Sequence, residues 1–466
     1  MDERFFRRHR LAVLTEAQEV WYSGKTPAWA LASLLSQPGL AGFRSLEKSE
    51  ELIDDHLLSS SHEATAADVI GNAQLGEGLA LLLQESVSLG DGDELDDDAP
   101  VIRMINAILN EAAARKASDI HLEPYETGSV VRFRVDGLLQ DVAHPPRALH
   151  AALISRIKVM AQLDIAEKRL PQDGRMTVKS PVGLIDLRIS TLPTGFGERA
   201  VLRLLAKGQG PLKLQEVGMS LNTLQRFRSL VGRPFGILLV TGPTGSGKTT
   251  TLYAALSELD AKTRNIMTVE DPIEYDMPGI AQTQVHPKIG LSFAQSLRSI
   301  LRQDPDVILI GEIRDLETAQ IAIQASLTGH LVLATLHTND STAAVSRLLD
   351  MGVEPFLLSS SLIGVLAQRL VRQRCQTCAP RALMGCDECG QSGYKGRLGI
   401  FELMAVDDAI RAAIKQRADA SEIRQLALGM GSFLPLQQDG LRLVRAGVTT
   451  EQELARVTAS GHEELV

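Results

Sequence analysis

The chain has 466 residues, of which 44% are hydrophobic and 23% are charged, and it carries a net charge of −9 at pH 7. A chain of this length is too long for a single domain with one hydrophobic core, so we predict a globular protein of about two to four domains. The acidic balance argues against a general affinity for nucleic acid.

No membrane-spanning helix is expected. The longest apolar runs, such as GILLV and VILIG, fall far short of the ~20 residues that a bilayer requires. The first stretch, MDERFFRRHRLAVL, lacks the long apolar segment and cleavage site of a secretory signal. The expected compartment is therefore the cytoplasm.

An acidic stretch separates an N-terminal region from the rest of the chain. Residues 1–90 are interpreted as short helices that pack around Trp21, Trp29 and leucines. Six of the eight residues 91–98 are acidic, and their mutual repulsion favours an extended, solvated segment. We therefore predict a linker at residues 91–100.

The next region predicts an α+β domain over residues 101–212. Isoleucine, leucine and alanine recur at helical spacing after Val101, and SVVRFRV and LIDLRIST alternate apolar with polar residues as strands do. Asp136-Gly137 is a strong signal for a hairpin turn. From residue 213 to 466, strands alternate with helices, which predicts a parallel α/β domain.

The segment GILLVTGPTGSGKTTTLYAAL predicts a buried strand, a glycine-rich loop and a helix. It fits the phosphate-binding pattern G-x-x-x-x-G-K-[ST], in which backbone N–H groups and the helix dipole surround phosphates. Lys248 is expected to reach the β- and γ-phosphates, and Thr249 to ligate Mg²⁺. The predicted nucleotide site comprises Gly242, Pro243, Thr244, Gly245, Ser246, Gly247, Lys248, Thr249 and Thr250.

Three further stretches carry candidate polar groups. DVILIGEIRD is an apolar strand that ends in Glu312, a candidate carboxylate near Mg²⁺ or its water, although a surface ion pair with Arg314 is the alternative. TVEDPIEY carries Glu274. TGHLVLATLHTND carries His330 and His337, either of which could equally be an ordinary structural histidine.

All four cysteines lie within fifteen residues in the spacing C-x₂-C-x₇-C-x₂-C. Two such pairs can supply four thiolates to a tetrahedral Zn²⁺, and clustered cysteines in the cytoplasm favour metal over disulfides. An iron–sulfur cluster, a redox pair and inert thiols are the alternatives. The predicted zinc module spans residues 375–397, and its ligands are Cys375, Cys378, Cys386 and Cys389.

These motifs together resemble those of a known family. GPTGSGKTT, TVEDPIEY, LRQDPDVILIGEIRD and TGHLVLATLHTND, in this order, are similar to the Walker A, Asp box, Walker B and His box of the type II secretion and type IV pilus assembly ATPases, the GspE–PilB family. ASDIHLEP, RVDG, RLPQDGR and STLPTGFGERAVLRLL resemble its N2 domain. The cysteine module also resembles that of the family, but the loop between its two pairs is shorter.

The resemblance implies a RecA-like P-loop domain, preceded by a PAS-like α+β N2 domain and a small helical N-terminal domain. It implies that Glu274 is the general base, that Glu312 positions Mg²⁺ or water, that His330 senses the γ-phosphate, and that His337 supports the sheet or an interface. Finger-like arginines occur in the N2 domain of the family. The candidates here are Arg169, Arg175 and Arg188, with Arg203 beside them.

The function implied by the resemblance is a hexameric, ATP- and Mg²⁺-dependent motor for pseudopilus assembly and protein export by type II secretion. It would act at the cytoplasmic face of the inner membrane, through a GspL-type cytoplasmic domain and a GspF-type protein, without binding lipid directly or nucleic acid. A type IV pilus extension ATPase shares every motif and is the nearest alternative. A nucleic-acid motor disagrees with the charge and with the aromatic content of 4%.

Overall fold

A computed structural model describes most of the chain after residue 97, together with short segments before residue 50. The described ranges are 11–14, 19–23, 25–27, 31, 43–49, 98–180, 183–206, 212–378 and 385–459. Within these ranges, no helix is long and apolar enough to cross a bilayer.

The described part of the first fifty residues contains a small three-stranded sheet. Its first two strands are antiparallel, and the third is parallel to the second. The strands are β1 Leu11–Leu14, β2 Glu19–Tyr22 and β3 Arg44–Glu47. The prediction of short helices is wrong for these segments, because runs such as EVWY are rich in β-branched and aromatic residues that favour strands. Most of the predicted domain 1–90, including Trp29, lies outside the described residues.

The α+β domain is a six-stranded antiparallel sheet with two helices. The strand order is β6-β5-β4-β9-β8-β7, which confirms the predicted fold class. The elements are α1 Asp98–Ala114, β4 Asp119–Pro124, β5 Ser129–Val135, β6 Leu138–Ala143, α2 Arg147–Met160, β7 Gln172–Ser180, β8 Gly183–Thr194 and β9 Gly197–Ala206.

Helix α1 begins inside the predicted linker. It starts at Asp98 and contains Pro100 in its first turn, where the missing N–H of proline costs no hydrogen bond. The predicted linker 91–100 is therefore three residues too long at its carboxyl end. Residues 91–97 lie outside the described residues, as do residues 207–211 beside the predicted boundary at 212.

One face of this sheet and the two helices share a hydrophobic core, as the alternating patterns predicted. Phe133, Leu187 and Ile154 are all buried in it. The predicted hairpin at Asp136-Gly137 joins β5 to β6, and both residues have positive φ angles of 49° and 88°, which a two-residue type I′ turn requires. The opposite face of the sheet is left for polar side chains.

The second domain is built on a seven-stranded sheet in the order β12-β11-β13-β14-β10-β15-β16. All neighbouring strands are parallel except the last pair, β15 and β16. The strands are β10 Gly236–Thr241, β11 Ile266–Glu270, β12 Ala281–Gln284, β13 Val307–Ile310, β14 Leu331–Leu336, β15 Leu362–Arg374 and β16 Tyr394–Ala405.

Helices cover both faces of this sheet, and alternate residues of β10 therefore pack into two different hydrophobic cores. Leu239 packs into one core, whereas Leu238 and Val240 pack into the other. The helices are α3 Leu221–Val231, α4 Lys248–Leu256, α5 Phe293–Ile300, α6 Leu316–Leu327, α7 Ser341–Asp350, α8 Pro355–Ser361, α9 Asp408–Lys415, α10 Ala420–Gly429, α11 Leu436–Arg445 and α12 Glu451–Thr458. Burial on both faces is typical of a parallel sheet and confirms the predicted parallel α/β fold.

Candidate active site

Three adjacent parallel strands bring the predicted polar groups to one edge of the sheet. Strand β14 lies between β13 and β10 in register, so the residues that follow all three strands meet at their carboxyl ends. Glu312 comes shortly after β13, His337 directly follows β14, and the glycine-rich loop 242–247 follows β10. This edge is where α/β proteins of this type bind ligands.

Two glycines of the loop, Gly242 and Gly247, are required by the close approach of strand β15. A side chain at Gly242, whose φ is +150°, would lie 2.5 Å from the carbonyl oxygen of Gln368. A side chain at Gly247 would lie 2.8 Å from Gln368 Nε2. The Gln368 side chain also accepts a hydrogen bond from Thr251 Oγ1 at 2.7 Å. Gln368 therefore fixes the loop against β15, a contact that the motif alone does not reveal.

Lys248 is the first residue of helix α4 and is 9% exposed. Its ammonium donates hydrogen bonds to the carbonyl oxygens of Gly242 at 2.7 Å and Pro243 at 3.0 Å. Burial lowers the pKa of Lys248 to about 8, an effect that Glu312 opposes and Arg369 reinforces. Because this ammonium is poorly solvated, phosphate oxygens would stabilise its charge better than the two carbonyl oxygens do.

Two further features of this loop suit an anion. The buried Ser246 hydroxyl has no hydrogen-bond partner within the described structure, and helix α4 has no side-chain cap on its first N–H groups. Unpaired donors at a helix start, together with the helix dipole, form a site for phosphate. Thr249 and Thr250 follow in the first turn, half-buried.

Glu312 lies at the centre of a charged group at this edge. It is 14% exposed and forms an ion pair with Arg314, as the alternative interpretation predicted. On the other side, His337 Nε2 lies 3.5 Å from Glu312 Oε2. Burial and the charge of Lys248 lower the pKa of His337, so the imidazole is mainly neutral at pH 7. The next residue, Thr338, donates its N–H to Thr241 Oγ1 at 3.0 Å, which ties this loop to β10.

His330 lies at the edge of the sheet opposite the phosphate loop of its own chain. His330 directly precedes β14 instead of following it, so it lies at the amino edge of the sheet, about 20 Å along a six-residue strand from the phosphate edge. Its Nδ1 atom is 2.7 Å from the carbonyl oxygen of Ala325, at the end of helix α6. Within its own chain His330 therefore contacts the end of helix α6, and His337 is the histidine beside Glu312.

Glu274 meets an arginine of the α+β domain. Arg188 Nη2 lies 3.5 Å from Glu274 Oε2 and also donates to the carbonyl oxygen of Ile273 at 3.2 Å. Burial lowers the pKa of Arg188, and the charge of Glu274 opposes that effect. The outer face of the α+β sheet thus approaches the Asp-box loop of its own chain.

Three arginines form a cross-strand row on that outer face. Arg175 pairs in register with Arg188, and Arg188 with Arg203, across β7, β8 and β9. They line a cleft of about 440 Å³ between the α+β sheet and Asp271 and Pro272. Arg169 does not join them. Its side chain is 88% exposed and pairs with Glu167 at 3.1 Å in its own loop, because Arg169 lies in a surface segment that ends where β7 begins at Gln172.

The four cysteine sulfurs are clustered in space. The pairs Cys375–Cys386, Cys378–Cys389 and Cys386–Cys389 are 3.7, 3.8 and 3.7 Å apart, and all four sulfurs lie within 4.8 Å of one another. Four thiolates bound tetrahedrally to Zn²⁺ at about 2.3 Å would be separated by about 3.8 Å. The donor set therefore fits a zinc ion.

The backbone around Cys389 favours a thiolate at that position. Cys389 Sγ accepts N–H bonds from Cys386 at 3.1 Å and Gly393 at 3.2 Å. Burial raises the pKa of Cys389, but the N–H donors outweigh burial and lower it to about 6. Strand β15 continues seven residues past the end of β10, so the module projects about 20 Å beyond the phosphate edge. Residues 379–384 between the pairs lie outside the described residues.

A parallel sheet with a lysine-bearing phosphate loop, and with a carboxylate at the same edge, defines a P-loop ATPase. A family model described as "Type II/IV secretion system protein" matches residues 94–456. The chain belongs to this family.

Relatives and solved structures agree with that assignment. The type II secretion system protein HxcR of Pseudomonas aeruginosa is 55% identical over 443 residues, which is 94% of either chain. The type II secretion system protein E of Pectobacterium carotovorum is 58% identical over 393 residues, 79% of this chain and 78% of the relative. The crystal structure of the pilus retraction motor PilT with bound ADP is 27% identical with a TM-score of 0.54, covering 78% of this chain and 98% of that chain.

Proposed function

We propose that this chain is the ATPase that powers a type II secretion system. The observation that carries the proposal is the desolvated Lys248 beside Glu312, at the edge where the glycine-rich loop opens. ATP and Mg²⁺ are the substrate and metal expected of this family. The names of relatives that match nearly the whole chain support a role in secretion over a role in pilus extension.

The residues divide the work of phosphoryl transfer between binding and positioning. Lys248 and the N–H groups of the loop would hold the β- and γ-phosphates, while Thr249 would ligate Mg²⁺. Glu312 would hold a metal-bound water, oriented by Arg314 and His337. Glu274 would accept the proton of the attacking water, and Arg188, with Arg175 and Arg203 beside it, would neutralise charge that develops on the γ-phosphate.

Binding of ATP would also change the contact between the domains. Arg188 holds Glu274 and the Ile273 carbonyl in the described structure, and a γ-phosphate would compete for its guanidinium. The α+β domain would then shift against the parallel sheet in each cycle. We propose that this movement, repeated around a hexamer, is the mechanical output that assembles a pseudopilus and drives export of folded proteins.

The expected location is the cytoplasmic face of the inner membrane, reached through protein partners. A GspL-type cytoplasmic domain and a GspF-type protein are the proposed partners, and residues 1–90 are the proposed attachment region. The cysteine module would hold one structural zinc ion. A type IV pilus extension ATPase remains the second candidate, because it would use the same nucleotide site.

Hydrolysis by the purified full-length chain and export in cells together test this function. Lys248→Ala should abolish ATP binding and hydrolysis, whereas Glu274→Gln should bind ATP and hydrolyse it at least ~100-fold more slowly. Glu258→Gln, which removes a surface carboxylate paired with Arg228, is the matched control and should hydrolyse normally. Wild-type turnover in Glu274→Gln would move the base to Glu312.

The biological role requires a complementation experiment. The gene should restore export to a strain that lacks its own secretion ATPase, and Glu274→Gln should not. If the gene instead restored pilus extension to a strain that lacks its pilus extension ATPase, and did not restore export, the secretion assignment would be overturned in favour of the second candidate.

A further inference from the structure

Tyr253 lies at the centre of a buried polar network that the mechanism above does not use. It is on helix α4, five residues after Lys248, and its side chain is completely buried. Its hydroxyl donates a hydrogen bond to Glu270 Oε2. The ring packs edge-on against Tyr275, with centroids 4.6 Å apart and an interplanar angle of 84°. Tyr253 therefore joins the phosphate helix to the strand and loop that carry Glu274.

The partner of this hydroxyl is a carboxylate that has other donors. Glu270 is 3% exposed, and its Oε1 atom accepts hydrogen bonds from Thr268 Oγ1 at 2.6 Å and Gln282 Nε2 at 3.1 Å. Burial, followed by the bond to Glu270, raises the pKa of Tyr253, so the phenol stays protonated and remains a donor. Three hydrogen-bond donors hold this buried carboxylate in one position, because a buried charge without them would be costly.

The same network holds the backbone of the Asp-box loop at three places. The N–H of Glu274 points to the Tyr253 hydroxyl at 3.4 Å. Gln282 donates to the carbonyl oxygen of Tyr275 at 3.3 Å and accepts from the N–H of Met277 at 2.7 Å. The loop that carries Glu274 is therefore tied to the helix that begins at Lys248, through side chains and not through the sheet alone.

We propose that Tyr253 is a positioning residue for ATP hydrolysis, which aligns Glu274 with the phosphates held at the start of its own helix. The inference rests on the proposed role of Glu274 as general base. A base must lie within hydrogen-bond reach of the attacking water, and a misplacement of about 1 Å can cost about 100-fold in rate. Gln282 supports the same loop from the neighbouring strand β12.

The decisive variant is Tyr253→Phe, which keeps the buried ring and its packing on Tyr275 but removes the hydroxyl. We expect kcat per assembled, folded protein to fall by about 10- to 100-fold. KM for ATP, and the affinity for a fluorescent ATP analogue in equilibrium titration, should change less than about twofold, since the phosphate loop is untouched. Gln282→Met, which removes the two amide contacts to the loop, should give the same separation of kcat from KM.

The matched control is Tyr125→Phe. Tyr125 also donates its hydroxyl to a buried carboxylate, Glu123, at 3.1 Å, but it lies on the α+β domain. Loss of a hydroxyl that has no part in hydrolysis should leave kcat per folded protein unchanged, whatever its effect on the melting temperature. Tyr125→Phe should behave in that way, and Tyr253→Phe should not.

A double-mutant cycle separates positioning from a direct effect. Single-turnover rates with radiolabelled ATP would be measured for Tyr253→Phe in the wild-type and Glu274→Gln backgrounds. If Tyr253 acts through Glu274, its substitution should cost less than about twofold once Glu274 is already replaced. An equal loss in both backgrounds, or a wild-type kcat in Tyr253→Phe, would overturn this inference alone. Wild-type turnover in Glu274→Gln would remove the base assignment itself and this inference with it.

Discussion

Arg188 and Glu274 form an ion pair between the two domains of a single chain, with Nη2 and Oε2 3.5 Å apart. The guanidinium is 20% exposed and the carboxylate 37%, so the pair lies at the mouth of the cleft and not in the core. The proposed base is thus held by a cation that could itself bind phosphate. ATP would engage both partners of this pair.

The first prediction is that Arg188 serves the nucleotide of its own chain. Arg188→Ala should lower kcat by about 1,000-fold, the size of effect known for finger arginines. Mixed assemblies of Arg188→Ala and Glu274→Gln subunits should then have no more activity than the two variants measured apart, because every subunit lacks one of the two groups. Recovered activity in the mixture would mean that Arg188 reaches the site of a neighbouring subunit.

Arg169 provides the contrasting prediction. Because its side chain is exposed and pairs with Glu167, Arg169→Ala should reduce turnover by less than about twofold, as surface pairs contribute little. Steady-state ATPase assays of both arginine variants would compare the two directly. A loss in Arg169→Ala as large as that in Arg188→Ala would mean that its loop closes onto the nucleotide.

After residue 100, the sequence predicts the strands and the phosphate loop well, because both depend on local patterns. It does not distinguish His330 from His337, since the motif TGHLVLATLH contains a strand and a histidine at each end. Only the pairing of Leu331 with Gly236 and of Leu336 with Thr241 shows which histidine reaches the phosphate edge. The arginine row is likewise invisible in the sequence, because antiparallel register brings together residues that are distant along the chain.

Tyr253 shows a second limit of sequence reasoning. In the sequence TTTLYAAL, Tyr253 cannot be told from an ordinary core residue of an apolar helix, and Glu270 cannot be told from an ordinary residue at the end of a strand. A buried carboxylate needs donors, so the glutamate at the end of a buried strand was a usable signal that a polar partner lay nearby. The identity of that partner depends on how the helix packs across the sheet.

The pKa of Lys248 predicts how nucleotide binding depends on pH. The free protein binds ATP through a charged ammonium whose pKa is about 8, so affinity should be constant at lower pH and fall as pH rises through that value. Between pH 7 and pH 9 the expected loss is about tenfold, the fall in the protonated fraction at one unit above the pKa. Isothermal titration with a non-hydrolysable analogue would measure it, and an affinity unchanged up to pH 10 would contradict the prediction.

A buried carboxylate in helix α12 predicts an acid-sensitive contribution to stability. Glu453 has no exposed side-chain surface and bonds Arg372 and Arg456 at 2.8 and 2.7 Å. Burial raises the pKa of Glu453, but the hydrogen bonds to the two arginines outweigh burial and lower it to about 2. The carboxylate therefore stabilises the fold fully above the unfolded-state pKa of about 4.5, and this contribution is lost as pH falls toward 2.

Glu453→Gln should accordingly lower the free energy of unfolding by about 3 kcal/mol at pH 7, because it leaves two arginines without their anion. The difference from the wild type should shrink below pH 4.5. Urea unfolding followed by circular dichroism at several pH values would measure both effects. Glu451→Gln, at an exposed position in the same helix, is the matched control, and an equal loss of stability there would mean that net charge and not the ion pair is responsible.

The last prediction concerns the zinc module and its contact with the α+β domain. The N–H of Gly396, seven residues after Cys389, donates to Asp136 Oδ2 at 2.8 Å, and Arg397 lies 3.5 Å from the same carboxylate. The wild-type protein should contain one zinc per chain by elemental analysis. Cys386→Ser leaves three ligands, so zinc content should fall and the module should lose its local order.

Because the parallel sheet has its own core, nucleotide affinity of Cys386→Ser should stay within about twofold of the wild type, while export should be impaired. Hydrogen exchange at the Gly396 amide should become faster, because a disordered module would no longer hold this N–H against the Asp136 carboxylate. Glu388→Gln, an exposed substitution in the same module, should retain both zinc and slow exchange. A zinc-free wild-type protein that exports normally would show that the sulfurs approach one another without holding a metal. Purified protein that contains iron and absorbs visible light would mean that the module holds an iron–sulfur cluster instead of zinc. If exchange became faster but export were unchanged, the module would not be needed for the movement between the domains. The Arg188 contact would then be the remaining coupling between them.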